Sequence, residues 1–225
     1  DHIIKKIKNG EIFEAVPIDY SFHLKIRDYI PYVCAAIHAG HNFRNNLKDK
    51  VLHSEYERWY EEDPHTDTFI SSMPLTIVGL DSRFEYDLNR SPEKCVYKDA
   101  WGKPVWKKPL SKSLEKESLK KHENFYKVVD ALIQFIEGKF GGCLVFDMHS
   151  YNFVRHQKEV PVFNIGTANV DESRYKRAID YWYEKLKSIS IRSIENTTEI
   201  NGPFQGNGYF LTHISNTFKD TLVFA

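Results

Sequence analysis

Cysteine is scarce. Only Cys34, Cys95 and Cys143 occur in 225 residues, and no two of them share the CxxC spacing of a zinc site, so a disulfide framework and a cysteine-held metal are both excluded. Cys34 and Cys143 fall in apolar runs and read as small buried hydrophobes. Long hydrophobic runs are missing as well: none approaches the ~18–20 residues of a membrane span. Neither sign of charge is in excess, with 31 Lys+Arg against 31 Asp+Glu. That balance excludes a protein whose main task is to hold nucleic acid or an anionic membrane surface, since both select net positive charge. The opening DHIIKKIKNGEIFEAV lacks the basic, apolar and small-residue layout of a signal peptide, although the chain does not begin with Met. No repeat, low-complexity tract or Pro/Ser linker divides the chain. What is present, 41% hydrophobic and 14% aromatic residues, is enough for a sizeable core. The expectation is one soluble, cytoplasmic domain spanning residues 1–225.

The pattern alternates strand and helix. YVCAAIH (residues 32–38), PLTIVGL (74–80), CLVFDMH (143–149), VPVFNIG (160–166) and SISIRSI (188–194) read as strands. Residues 111–138 predict a long amphipathic helix, because Phe125, Val128, Val129, Leu132, Ile133 and Ile136 recur at three- and four-residue spacing before Gly138 and the Gly141–Gly142 pair. Residues 171–188 predict a second, opened by Asp171, and residues 53–70 are mixed but mainly helical, with Pro64 limiting where a turn begins. The succession implies an α/β fold in three α/β/α layers around a mixed central sheet. Residues 95–116, rich in Trp, Lys and Pro, read as an excursion or hairpin; a basic aromatic loop can bind single-stranded nucleic acid, but a solvated loop and helix start is the favoured reading, and no nucleic-acid partner is expected. The final TLVFA has the look of a core strand, and the expectation is that the natural chain continues past Ala225.

Polar clusters follow the strands, where α/β folds gather their functional groups. His38-Ala-Gly-His41 follows YVCAAI, Asp147-Met-His149-Ser-Tyr151 follows CLVF, and Asp81 through Arg90 follows LTIVG; the acidic segment Glu61-Glu62-Asp63-Pro-His65-Thr-Asp67 lies between the first and the third. Two histidines at the ends of core strands, with carboxylates at hand, are the parts of a catalytic zinc site, which takes three protein ligands and leaves a place for water. A hydrogen-bonded structural histidine is the alternative at each position.

These four blocks, HAGH, EDPHTD, DSRFEYDLNR and DMHSYN, occur in the order found in the N-formylglutamate amidohydrolase family, which the sequence resembles over residues 37–152 and again at NGPFQGNGYFLTHIS (201–215). That family is similar in fold to the zinc carboxypeptidases, whose Asn-Arg and His-Ser-Tyr pieces are matched by Asn89-Arg90 and His149-Ser150-Tyr151. The resemblance implies one zinc per chain, with His38 and His149 as ligands and Asp63 as the third; Glu62 is the alternative. Asp63 would otherwise cap a helix opening at Pro64. Asp67 would orient a ligand histidine or close that helix's first turn, and Asp147, on the same side of its strand as His149, could do either. Arg83 is implied at the carbonyl oxygen or a second carboxylate, and Asn89 with Arg90 at the substrate carboxylate, where a guanidinium fork fits; ion pairs with Glu85, Asp87 and Glu93 are the structural alternative. His41 either meets substrate or turns outward. Tyr209 either lines the pocket or sits buried in a Gly-bounded strand. The resemblance also implies a glutamate base after a C-terminal apolar strand, and none follows TLVFA; Glu199 is a weak substitute. The implied reaction is hydrolysis of an N-acyl amino acid such as N-formylglutamate. A carboxypeptidase-like peptidase and a non-catalytic binding module are the rival readings.

Overall fold

The computed structural model describes residues 1–156 and 159–225. Along the chain, helix α1 (His2–Lys8) leads into strands β1 (Phe13–Ala15), β2 (Phe22–Ile26) and β3 (Tyr32–Ala36). Three short helices follow, α2 (Asn45–Lys48), α3 (Glu55–Glu61) and α4 (Thr66–Phe69), then β4 (Leu75–Gly79) and the hairpin of β5 (Asp99–Ala100) with β6 (Lys103–Pro104). The long α5 (Lys112–Phe140) and β7 (Cys143–Asp147) precede β8 (Phe163–Ile165), α6 (Glu172–Lys187), β9 (Thr198–Ile200), α7 (Tyr209–Thr217) and β10 (Thr221–Phe224).

Six strands form the central sheet in the order β1-β2-β4-β3-β7-β10. The β4-β3-β7-β10 ladder is parallel, and β2 and β1 extend it antiparallel. Alternating residues face opposite layers, as a pleated strand demands. Val33, Ala35, Leu75, Ile77, Cys143 and Val145 pack with Phe125, Leu132 and Ile136 of α5 and with α1 and α7. On the other face, Cys34, Ala36 and Val78 pack with Ile70, while Leu222 and Phe224 pack with Ile179 of α6. The three-layer α/β/α arrangement with a mixed sheet is therefore the observed one. No helix among the described residues is long and apolar enough to cross a membrane.

The helix ends follow their capping chemistry. The Ser111 hydroxyl accepts from the Leu114 amide, and α5 runs past Gly138 to stop at Gly141, whose left-handed φ of 77° suits a residue without Cβ. Asp171 caps α6 by accepting from the Ser173 and Arg174 amides. Three expectations need correction. Residues 53–70 are two helices, not one, because residues 62–65 break the run around Pro64, with His65 at φ 71°. SISIRSI is no strand: it holds only an isolated Ile191–Ile194 bridge on an exposed stretch that has no sheet edge to join. Tyr209 opens a helix instead of lying in a strand.

Candidate active site

Because β3 and β7 are parallel neighbours, the residues two beyond their ends, His38 and His149, come to the same edge of the sheet. Their rings lie 5.0 Å apart between centroids. The break between α3 and α4 delivers the third group: the Asp63 amide donates to the His38 carbonyl at 3.0 Å, which turns the Asp63 carboxylate inward. Asp63 Oδ2 is 2.7 Å from His149 Nδ1 and 3.5 Å from His38 Nδ1, and the three ligand atoms all lie within 4.8 Å of one another. Asp63 is thus no helix cap; the residue before α4 is His65.

Each imidazole is held from behind. His38 Nε2 meets Asp87 Oδ1 at 2.7 Å, and His149 Nε2 meets Asp147 Oδ2 at 2.9 Å. A carboxylate on Nε2 keeps the proton there and points the Nδ1 lone pair forward, the usual way an outer carboxylate orients a metal-binding histidine. His38 Nδ1 is buried and has no hydrogen-bond partner among the described residues. An orphaned imidazole nitrogen facing a second imidazole nitrogen and a carboxylate is the donor set that a metal such as zinc accepts. His38, Asp63 and His149 therefore fit a metal ion.

Electrostatics carry the same message. Burial opposes ionisation of Asp63, but the hydrogen bond from His149 and the nearby His38 ring outweigh it and hold the carboxyl well below its usual range. Asp87, wholly buried, is held low against its own desolvation by the charges of Arg83 and His38. Burial would lower His149, yet the Asp147 charge and the hydrogen bonds from Asp147 and Asp63 raise it to about 10. Without metal, His149 is accordingly an imidazolium at neutral pH, and its proton is lost only as pH rises through about 10. Metal entry must expel that proton. Calorimetric titration of zinc near pH 7 in buffers of different ionisation heat is expected to report release of about one proton or more per metal bound; a value near zero would contradict this account of His149.

The remaining predicted residues are scattered around this centre. Glu62 is outside the His38–Asp63–His149 group, its carboxylate hydrogen-bonded by His41 and the Ser82 hydroxyl, so the alternative ligand is otherwise engaged. His41 is occupied with Glu62 and lies 3.5 Å from Glu55. Asp67 is exposed on α4, and among the described residues its carboxylate is hydrogen-bonded by the Thr68 hydroxyl and by no histidine; α4 turns its side chain to solvent. Arg83 lies beside the cluster: Nη2 donates to Asp87 at 2.8 Å and Nη1 to the Glu61 carbonyl at 3.3 Å. Asn89 Oδ1 accepts from the Phe210 amide at 3.2 Å, tying the site to the start of α7, while Arg90 is exposed. Tyr209 stacks near His122, Tyr126 and His213. Sequence reasoning missed the role of Asp87, taken there only as an ion-pair partner of the arginines. The available signal was its place inside the DSRFEYDLNR block, four residues after Arg83.

A sheet with a parallel core that brings two carboxylate-backed histidines and an aspartate to its carboxyl edge defines an α/β protein with a metal-competent hydrolytic type of site. The family model described as N-formylglutamate amidohydrolase matches residues 30–222, and the chain belongs to that family, whose members hydrolyse amide bonds. Among solved structures, N-formylglutamate amidohydrolase from Ralstonia eutropha JMP134 is similar in fold, with a TM-score of 0.73 and 15% identity over 91% of this chain and 83% of that one. A gene product of Agrobacterium tumefaciens is also similar, with a TM-score of 0.62 and 16% identity over 96% and 84% of the two chains. Comparison with curated proteins yields no match.

Proposed function

We propose that this protein is a zinc-dependent amidohydrolase cleaving an N-acyl amino acid, with N-formyl-L-glutamate giving formate and glutamate as the favoured case. The observation that carries the reading is the His38–Asp63–His149 cluster, with both histidines backed by carboxylates on Nε2. Residues 1–225 are read as one such domain, holding one zinc and acting on a small molecule in the cytoplasm. When bound, zinc polarises the substrate carbonyl and makes an attacking water acidic enough to react near neutrality.

The chain's own residues do the rest. His38, Asp63 and His149 set the position of the reacting centre, and Asp87 and Asp147 fix the two rings. Arg83 keeps donors to spare, since among the described residues its Nε is buried and unpartnered and Nη1 makes one hydrogen bond; these are the groups for the oxyanion that develops on the carbonyl oxygen. The Asn89 amide nitrogen and the exposed Arg90 guanidinium suit the substrate carboxylate. Glu199 is exposed on β9 with its carboxylate against Gly202, and has no part in this scheme.

The test is formate release from N-formyl-L-glutamate by zinc-loaded protein, run beside release of the C-terminal residue from blocked dipeptides. Turnover of the formyl amino acid alone is expected, and Arg83→Ala should lower kcat by about 10²–10³-fold, the scale for loss of an oxyanion donor. Turnover of dipeptides alone would favour the carboxypeptidase-like reading. No turnover of either by zinc-loaded protein would leave the binding module.

A further inference from the structure

The excursion at residues 95–116 is tied to the site by its side chains. Its hairpin turns at Trp101 and Gly102, both with positive φ, and is anchored by Val105 and Trp106 in a buried cluster with Phe43, Leu47 and Phe84. From that base two aromatic residues reach Arg83 and Asp87. The Trp101 ring lies 5.1 Å from the Arg83 guanidinium carbon, and the Tyr97 hydroxyl donates to Asp87 Oδ2. The backbone is locked in the same place: the Asp87 amide donates to the Cys95 carbonyl at 2.7 Å and Trp106 Nε1 to the Tyr97 carbonyl at 2.7 Å.

Asp87 consequently accepts four hydrogen bonds. Its Oδ1 takes the His38 Nε2 proton and the Asn89 amide at 2.6 Å, and its Oδ2 takes Arg83 Nη2 and Tyr97. The Tyr97 oxygen also lies 3.5 Å from Arg83 Nη2, so phenol, guanidinium, carboxylate and imidazole form one connected set. With two donors on each oxygen the carboxylate cannot rotate, and His38 keeps Nε2 protonated with Nδ1 facing Asp63. Losing Tyr97 leaves Oδ2 with Arg83 Nη2 alone.

We propose that Tyr97 is a positioning residue for the metal centre: by fixing the Asp87 carboxylate it holds His38 in the orientation that binds metal, making the excursion part of the active-site support. The proposal rests on the zinc reading above. Its test compares wild type with Tyr97→Phe, which removes the hydroxyl and keeps the ring. Zinc affinity by chelator competition is expected to fall about 5–10-fold, at or below the lower end of the 10–100-fold range for loss of an outer partner, because Arg83 and Asn89 still hold Asp87. The visible absorption of the cobalt-loaded protein should shift, and in the metal-free protein the His38 Nε2 proton, followed by NMR, should exchange faster with water. Zinc affinity within twofold of wild type and an unchanged Nε2 proton in Tyr97→Phe would overturn the proposal. A wild type that binds no zinc would instead defeat the zinc reading, and the NMR comparison would still decide whether Tyr97 orients His38. If Tyr97→Phe does not fold, replacing tyrosines with 3-fluorotyrosine, whose hydroxyl is more acidic, provides the same comparison: an unmoved Nε2 proton overturns the proposal and a moved one supports it.

Discussion

Replacing His149 by alanine is expected to take the bound metal from about one per chain to the background of elemental analysis, and to cut hydrolysis by at least about 10³-fold, beyond the 10–100-fold typical of an outer partner. The loss is this large because His149 supplies one of three ligand atoms and also bridges two carboxylates, Asp63 at 2.7 Å and Asp147 at 2.9 Å. Without the imidazole, Asp63 and Asp147 face each other's charge with no cation between them, and Asp63 loses the hydrogen bond that turns it towards His38. His38→Ala should give the same functional loss with a larger cost in folding. Its partner Asp87 is wholly buried and would lose one of four donors, whereas His149 is about a quarter exposed and water can replace it. Tm separates the two: His38→Ala should melt below His149→Ala, both as metal-free proteins. Retention of full metal content by either variant would mean that the ion is bound elsewhere and that His38, Asp63 and His149 are a structural ion-pair network.

The central strands and long helices were legible because their patterns are long and unbroken. LTIVG is buried on both faces, CLVFD is buried on one face and half-buried on the other, and α5 repeats its apolar face over many turns. What escaped was short or internally mixed. Strand β2, FHLKI, alternates with His23 and Lys25; Lys25 is nonetheless buried, because its Nζ reaches the Ser71 carbonyl at 2.6 Å. No local pattern announces a carbonyl 46 residues away. SISIRSI has the period of a strand, but a strand also needs an edge to pair with, and that information is tertiary. The site divides the same way. Its ligands stand at strand ends and inside short motifs that the family resemblance picks out, whereas the partners of those ligands are set by folding. Asp87 and Tyr97 come to His38 from a loop and a hairpin whose placement depends on packing against Phe84 and Trp106.

Gly40 shows how a single backbone position links the core to the chemistry. The loop after β3 carries His38 inward and then crosses the end of β4 so closely that a Cβ on Gly40 would lie 2.1 Å from the Leu80 carbonyl carbon and 2.3 Å from its oxygen. Leu80 cannot yield, since its amide donates to the Ser21 carbonyl at 3.0 Å and its carbonyl accepts from the Asn42 amide at 2.9 Å. The fit is as tight from the other side, where a Cβ on Gly79, the last residue of β4, would lie 2.4 Å from the Ile37 carbonyl oxygen. Gly40→Ala must therefore push the 37–42 loop off the sheet and take His38 with it. The expected cost is about 3 kcal/mol or more, the upper end for forced overpacking. In a chain of this size that is a fall in Tm of roughly 6–12 °C, accompanied by loss of metal binding in whatever fraction still folds. Gly138→Ala is the matched control: Gly138 lies within α5 with nothing inside 4 Å of a new Cβ, so the same substitution should stabilise by about 0.5–1 kcal/mol. Opposite signs of the two Tm shifts would establish that the glycine of the HAGH motif is required by backbone contact. A Gly40→Ala protein with wild-type Tm and metal content would show that the loop can move without displacing His38, and that the close approach to Leu80 does not govern the site.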